Sequence, residues 1–306
     1  MPSERDFTAW LAELFPRSSS RVPIGIGDDA AVVRNARPQT VAACDPVIEG
    51  VHFTPEASPR AVGHKAIHRN LADLAAMGAI PDYLLVSALL PAGAAPARVR
   101  ALFRGLRDAA AASRCEVVGG DVARTPGPLT LTVTALGHLA GAPLRRSAAR
   151  RGDGIYVTGP LGGASLGHHL RFAAPLAEGA WLAKQRGVGA VIDVSDGLLL
   201  DLQTILVASG GLGAELDEAA IPVSAAARRL TRTTGRPAVE HALADGEDHV
   251  LLFTWRRGVP IPRRGPLAAV ARQPIGCVVG RRGLWVRGDA AAGLRRVAPA
   301  GYQHVW

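Results

Sequence analysis

The stretch AVIDVSDGLLLDL, residues 190–202, passes from a continuous apolar run through an acidic turn into a helical pattern. Ala190–Asp193 reads as a strand, and the leucines from Leu198 onward open a helix that runs to about Ser209. A strand buried on both faces hands its terminal residue, here Asp193, to the sheet edge where ligands collect. Ser195 and Asp196 then stand at a helix start, where unpaired N–H groups attract phosphates and their metals. Ser and Asp also cap helices, and the two roles are compatible.

The same arrangement recurs. Asp28 and Asp29 lie in GIGDDAAVV, Asp45 in CDPVIEGVHF, Asp121 in VGGDVART, and Glu247 with Asp248 in DGEDHVLLFT. Any one of these is an ordinary turn former. Together they place acids beside glycines or at strand ends again and again, and carboxylates gathered at one edge repel unless cations neutralise them. Magnesium carrying nucleotide phosphates meets that need with oxygen ligands. Gly119-Gly120 ahead of Asp121 allows backbone amides to approach an anion. In HKAIHRNLADLAAMG, residues 64–78, Ile67, Leu71 and Leu74 share one helical face while Asn70 and Asp73 sit three apart on another. The spacing leaves open whether Asp73 faces solvent or a metal.

Working outward, strand-like and helix-like segments alternate along all 306 residues, the signature of an α/β (α+β) protein of two domains. Helices are expected near 7–15, 59–77, 96–113 and 198–209, with strands near 30–33, 40–44, 83–90, 116–118, 129–139, 155–158, 190–193, 249–254 and 275–279. Residues 140–154, rich in Gly, Ala, Arg and Pro without apolar period, read as the connection, giving domains 1–139 and 140–306. No glycine loop followed by Lys-Ser/Thr occurs, protein-kinase signatures are missing, and GPLGGA (159–164) fails the dinucleotide-loop spacing.

A net charge of +9 raises nucleic acid as a partner. Lysine occurs only at Lys65 and Lys184, the arginines are scattered apart from short pairs such as Arg145-Arg146, and no aromatic residues interleave with them. Attraction of small anionic substrates is the expectation, with no nucleic-acid and no membrane partner. No apolar stretch is long enough to cross a bilayer, and MPSERDFTAWLAELF is unlike a signal peptide, so a cytoplasmic location is expected. Cys44, Cys115 and Cys277 lack paired spacing, which argues against disulfides and zinc and for buried thiols.

These segments, in this order, resemble the thiamine-monophosphate kinase family, within the superfamily of aminoimidazole ribonucleotide synthetase. The likeness runs from GIGDDAAVV through EGVHF, NLADLAAMGA, GGD, RRSAARRGDGIYVTG, IDVSDGL and GED-VLLFT to GYQHVW. The resemblance implies a two-domain aminoimidazole ribonucleotide synthetase-like fold that dimerises through its N-terminal sheet, with ATP as co-substrate and several Mg2+ ions. It implies metal-binding carboxylates at Asp29, Asp45, Asp73, Asp121, Asp193 and Asp196. Gly120, Asp121, Arg146 and Ser195 correspond to ATP-contacting positions, and His52, Glu247 and Tyr302 to positions beside thiamine monophosphate. The acceptor would already be a phosphate monoester, so no residue is assigned as general base; metals, Arg146 and amides would position the phosphates and offset their charge.

The chain departs from the family's usual pattern at four places. Ala43-Cys44 stands where a hydroxyl pair is usual, His249-Val250 follows Glu247-Asp248 where Tyr-Glu is usual, Val122–Thr125 replaces Thr-Thr-Arg-Gly, and the segment between Gly163 and Pro175 is short. The alternatives are therefore a divergent paralogue phosphorylating another phosphorylated metabolite, or a weakly active nucleotide-binding homologue. Selenophosphate synthetase would need a reactive residue near the N-terminus, whereas the first cysteine is Cys44. The hydrogenase-maturation relative ends in cysteine, and this chain ends His304-Val305-Trp306.

Overall fold

The structure, a computed structural model, describes residues 10–11, 13–15, 19–23, 31–34, 39–262, 264–267, 273–288 and 293–303. Asp28, Asp29 and most of the expected first helix lie outside these. The chain divides into two compact units, residues 1–74 with 80–138, and residues 75–79 with 139–306.

The N-terminal unit is built from β1 (Val41–Ile48), α1 (Pro59–Ala76), β2 (Ala79–Pro91), α2 (Pro96–Ala112), β3 (Glu116–Thr125) and β4 (Thr130–Leu139), with sheet order β1-β4-β2-β3. β2 and β3 pair in parallel, which requires a crossover, and α2 supplies it. β4 alternates strictly, burying Leu131, Val133 and Ala135 while their neighbours stay half-exposed. The opposite face of β2 leaves Leu85 and Leu89 about 40% exposed. Pro96 at the helix start and a 3.6-residue apolar spacing (Val99, Leu102, Phe103, Leu106, Ala110) define α2.

α1 and α2 meet backbone to backbone. A Cβ on Gly63 would lie 2.3 Å from the Leu102 carbonyl oxygen, and one on Gly105 would lie 2.1 Å from that of Arg60. Only glycine fits such a crossing.

The C-terminal unit contains β5 (Gly154–Val157), α3 (Leu176–Leu182), β6 (Val188–Asp193), α4 (Leu198–Ala208), β7 (Gly213–Asp217), α5 (Ala225–Thr234), α6 (Ala238–Ala244), β8 (Leu251–Trp255), β9 (Gly276–Val279), β10 (Gly283–Arg287) and β11 (Leu294–Val297). Its sheet runs β11-β10-β7-β9-β5-β8-β6, antiparallel except for the β10–β7 pair. Leu198, Leu202, Ile205 and Leu206 of α4 join Ile155, Val157, Ile192 and Leu252 in one core.

The strand ending in Asp193 is buried as expected and stands last in a mixed sheet. Two expectations change. The stretch 140–154, read as a connection, is packed into the C-terminal unit: Leu144 N–H bonds the Met77 carbonyl, and Val191 N–H bonds that of Arg145. Of the cysteines only Cys115 is buried, while Cys44 and Cys277 are exposed, because a strand's alternate positions turn outward. Among the described residues no helix is long and apolar enough to cross a membrane.

Gly105→Ala should lower unfolding stability by about 2–3 kcal/mol through overpacking against the Arg60 carbonyl. Chemical denaturation measures this; an unchanged midpoint would show that the two helices can separate without cost.

Candidate active site

In the N-terminal unit Asn70 is the organiser. Fully buried on α1, it accepts the Asp45 N–H at 2.7 Å and donates to the carbonyls of Asp45 (3.3 Å) and Ala66 (3.0 Å). This clamps the middle of β1 to the helix and sets Asp45 beside Arg69, whose Nε donates to Oδ2 at 3.1 Å. Asp73 follows one turn further along α1 and is half-buried, which removes the fully solvated reading.

Asp121 is placed elsewhere. Asp45 pairs with Val133 and shares its inward face, whereas Asp121 lies on β3, at the other edge of the sheet, and pairs with exposed Ser87 of β2. Three strand spacings, roughly 14 Å along the sheet, separate them. One N-terminal unit therefore does not bring Asp45 and Asp121 to one ion. Gly120 has φ +148°, and its Cβ would lie 1.8 Å from the Val86 carbonyl oxygen, so glycine here serves the close β2–β3 approach.

His52 sits in the turn after β1, 8% exposed. Its Nδ1 accepts the Ile48 N–H at 3.0 Å, which leaves the ring proton on Nε2. Its carbonyl accepts from Nζ of Lys65 at 2.6 Å. Lys65 is fully buried, and sequence reasoning passed it over. The signal was compositional, since lysine appears only twice in an arginine-rich chain.

The C-terminal unit gathers its residues more tightly. Amides of Glu247, His249 and Tyr302 donate to the carbonyls of Ser195 (2.7 Å), Val194 (2.8 Å) and Asp196 (2.9 Å), and Val194 N–H donates to Val250. Asp193, Ser195, Asp196, Glu247 and Tyr302 are thereby braided into one locus. Gly246, Glu247 and His249 all have positive φ (75°, 54°, 50°), so β8 begins only at Leu251 rather than at 249.

Neither Ser195 nor Asp196 caps α4. The N-cap is Gly197, without a side-chain cap. Instead Oδ2 of Asp201, one turn inside the helix, accepts the N–H groups of Asp196 and Gly197, both at 3.1 Å. Those two amides are therefore spent on protein. Burial, reinforced by Asp193 and Asp196, pushes the Asp201 carboxyl up to about 8. Its signal in the sequence was an acid in the first helical turn.

The glycine loop at 159–164 is likewise closed on itself. Gly162 N–H faces both oxygens of Asp248 (2.9 and 3.0 Å), and Gly163 N–H donates to Asp245 at 3.1 Å. Arg146 is exposed and does not join the locus: its carbonyl accepts from Ser209, at the far end of α4. That is about 16 Å from the Ser195 turn at ~1.5 Å per residue. Two departures from the family pattern touch each other, because Phe172 of the short segment stacks on the His249 ring, centroids 4.1 Å apart.

Among the described residues no three His, Cys, Asp or Glu side chains already form a metal cage. The chemistry of the C-terminal donor set still fits a hard divalent cation. Asp193 and Asp196 lie close enough to Asp201 to raise its pKa, a mutual repulsion that a cation with oxygen ligands relieves.

Burial also pushes Asp248 up, to about 7, against the lowering effect of the Gly162 N–H. The folded chain keeps this proton between pH 4 and 7 while the unfolded chain has lost it, so stability falls as pH rises through that window. Asp201 acts with the same sign up to about 8. Asp248→Asn should flatten the decline, worth up to roughly 4 kcal/mol, in melting temperature measured from pH 4.5 to 8. A slope identical to that of the unsubstituted chain would contradict the assignment.

Residues 27–139 match the family "AIR synthase related protein, N-terminal domain". The chain is 39% identical over 323 residues to the thiamine-monophosphate kinase of Rhodopirellula baltica, covering 98% of this chain and 97% of that one. Among solved structures, the thiamine-monophosphate kinase of Stenotrophomonas maltophilia superposes with a TM-score of 0.78 at 32% identity, covering 93% of this chain and 96% of the other. AaThiL, complexed with AMPPCP and TMP, superposes with a TM-score of 0.77 at 28% identity, covering 99% and 97%. Near-full-length identity of this order, on the same two-unit α/β fold, makes the chain a member of the thiamine-monophosphate kinase family.

Proposed function

We propose that this chain transfers the terminal phosphoryl group of ATP directly to the phosphate of thiamine monophosphate, giving thiamine diphosphate, in the cytoplasm and with magnesium. The observation that carries the reading is the braided turn holding Asp193, Ser195, Asp196, Glu247 and Tyr302 in one place. The identity to thiamine-monophosphate kinases supports it, as does the complex of AaThiL with AMPPCP and TMP.

Asp193 and Asp196 would hold cation in the C-terminal unit, and Asp45 and Asp73 in the N-terminal unit, with Asp121 and Asp29 as further ligands. Magnesium would supply charge neutralisation between the phosphates. The chain's own work is positioning. Ser195 and the backbone at Gly120, with Arg146, would contact ATP, while His52, Glu247 and Tyr302 would line the acceptor site. The acceptor oxygen is already anionic, so no side chain needs to remove a proton from it.

The exposed apolar face of β2, with Leu85 and Leu89, supports a homodimer through the N-terminal sheets. The arginines around β10 and β11 support a small-molecule enzyme rather than a nucleic-acid binder. Arg281 pairs with Glu215 and Arg295 with Glu218, so neither offers an open charge for phosphate contacts. A second acceptor is favoured by one observation, the Phe172–His249 stack two residues from Glu247, which gives this part of the site its own shape.

The test is ATP- and magnesium-dependent turnover with thiamine monophosphate, run beside other phosphate monoesters. Thiamine diphosphate should form, and Asp45→Asn should lose about 100-fold or more in rate without a lower melting temperature. Turnover only with another monoester would replace the acceptor. Full activity of Asp45→Asn would remove Asp45 from the metal set.

A further inference from the structure

His249 has no role in the phosphoryl transfer described above, yet its ring approaches Asp193. Both are buried, at 2% and 4% exposure, and Nδ1 of the imidazole lies 3.4 Å from Oδ2 of the carboxylate. The histidine is fixed independently of that contact. Its amide donates to the Val194 carbonyl at 2.8 Å, its backbone sits at φ +50°, and its ring stacks on Phe172 with an interplanar angle of 15°. Phe172 is itself buried, and the neighbouring His168 approaches the Asp248 carbonyl at 3.3 Å.

The remaining ring nitrogen is diagnostic. Nε2 is buried and has no hydrogen-bond partner. A buried polar atom left unpaired costs about 1–3 kcal/mol. A phenylalanine would fill the same aromatic slot without that cost. The imidazole therefore owes its place to Nδ1, whose only described partner is Asp193. A carboxylate that ligates metal is commonly oriented by a hydrogen bond from a neighbouring group, and losing that neighbour weakens the metal site.

We propose that His249 is a positioning residue for cation binding: it donates Nδ1–H to Oδ2 of Asp193 and locks the carboxylate rotamer that meets the divalent ion. The proposal rests on the reading of Asp193 as a cation ligand. It makes the stack on Phe172 part of the metal site, because that stack sets the ring plane and with it the direction of Nδ1.

The test measures cation binding rather than turnover. Mn2+ is titrated into the full chain with a non-hydrolysable ATP analogue, and free Mn2+ is counted by electron paramagnetic resonance. His249→Phe keeps the aromatic slot and should weaken Mn2+ binding by about 10- to 100-fold, with no lower melting temperature. His249→Asn places an amide nitrogen near the position of Nδ1 and should restore affinity to within a few-fold. His249→Gln places it near Nε2 and should not. If His249→Phe fails to fold, the Asn and Gln pair decides alone. Equal affinity of the Asn and Gln variants would overturn the proposal by showing that the ring only packs. Asp193→Asn separates the two layers of the argument. Should it bind Mn2+ normally, Asp193 is not a ligand and the proposal falls with that reading. Weak binding by Asp193→Asn beside normal binding by the Phe and Gln variants would keep Asp193 and remove His249.

Discussion

Three carbonyls in a row, those of Val194, Ser195 and Asp196, each receive an amide from a distant part of the chain. The locus gathered in the C-terminal unit depends on this constraint. β6 is an edge strand, so the turn that follows it has no neighbouring ladder on one side. Each bond contributes only about 1 kcal/mol net. Their value is geometric, since they bring residues 247, 249 and 302 to one turn. Asp201 completes the frame from below by accepting the two amides of the same turn. Ser195 and Asp196 are thereby relieved of capping duty.

Much of the fold was legible. The periodicity in 59–76 and 96–112 and the alternation in 130–139 gave elements within a residue or two of those observed, because local pattern and burial agree there. The strands β7, β10 and β11 were not, being only four or five residues long, with β7 paired to strands distant in sequence. In the site, the acidic turns announced Asp193, Asp196 and Glu247, but nothing local distinguishes an aspartate that binds backbone from one that binds a ligand. Asp201, Asp245 and Asp248 turned out to be of the first kind. The glycines at 120, 162 and 163 also serve packing, since a Cβ on any of them would strike the backbone of another segment.

The N-terminal unit presents its acids in two places. Asn70 draws Asp45 to α1 on the inner face of one edge strand, while Asp121 stands with Ser87 on the outer face at the opposite edge. Alternation along a strand makes this unavoidable once the register is set. Arg69 tempers Asp45, and Lys65 anchors the turn that carries His52, so a single helix, α1, supports both the acid and the histidine of this unit.

Residues 247 and 249 occupy the left-handed region without being glycine. Conformations of that kind cost on the order of 1–3 kcal/mol each. The chain holds them only while the Ser195 and Val194 carbonyls are there to receive their amides. Without those partners the left-handed backbone at 247 and 249 would have nothing to offset its cost. Loosening the turn after β6 would therefore release the backbone of residues 247 and 249 together.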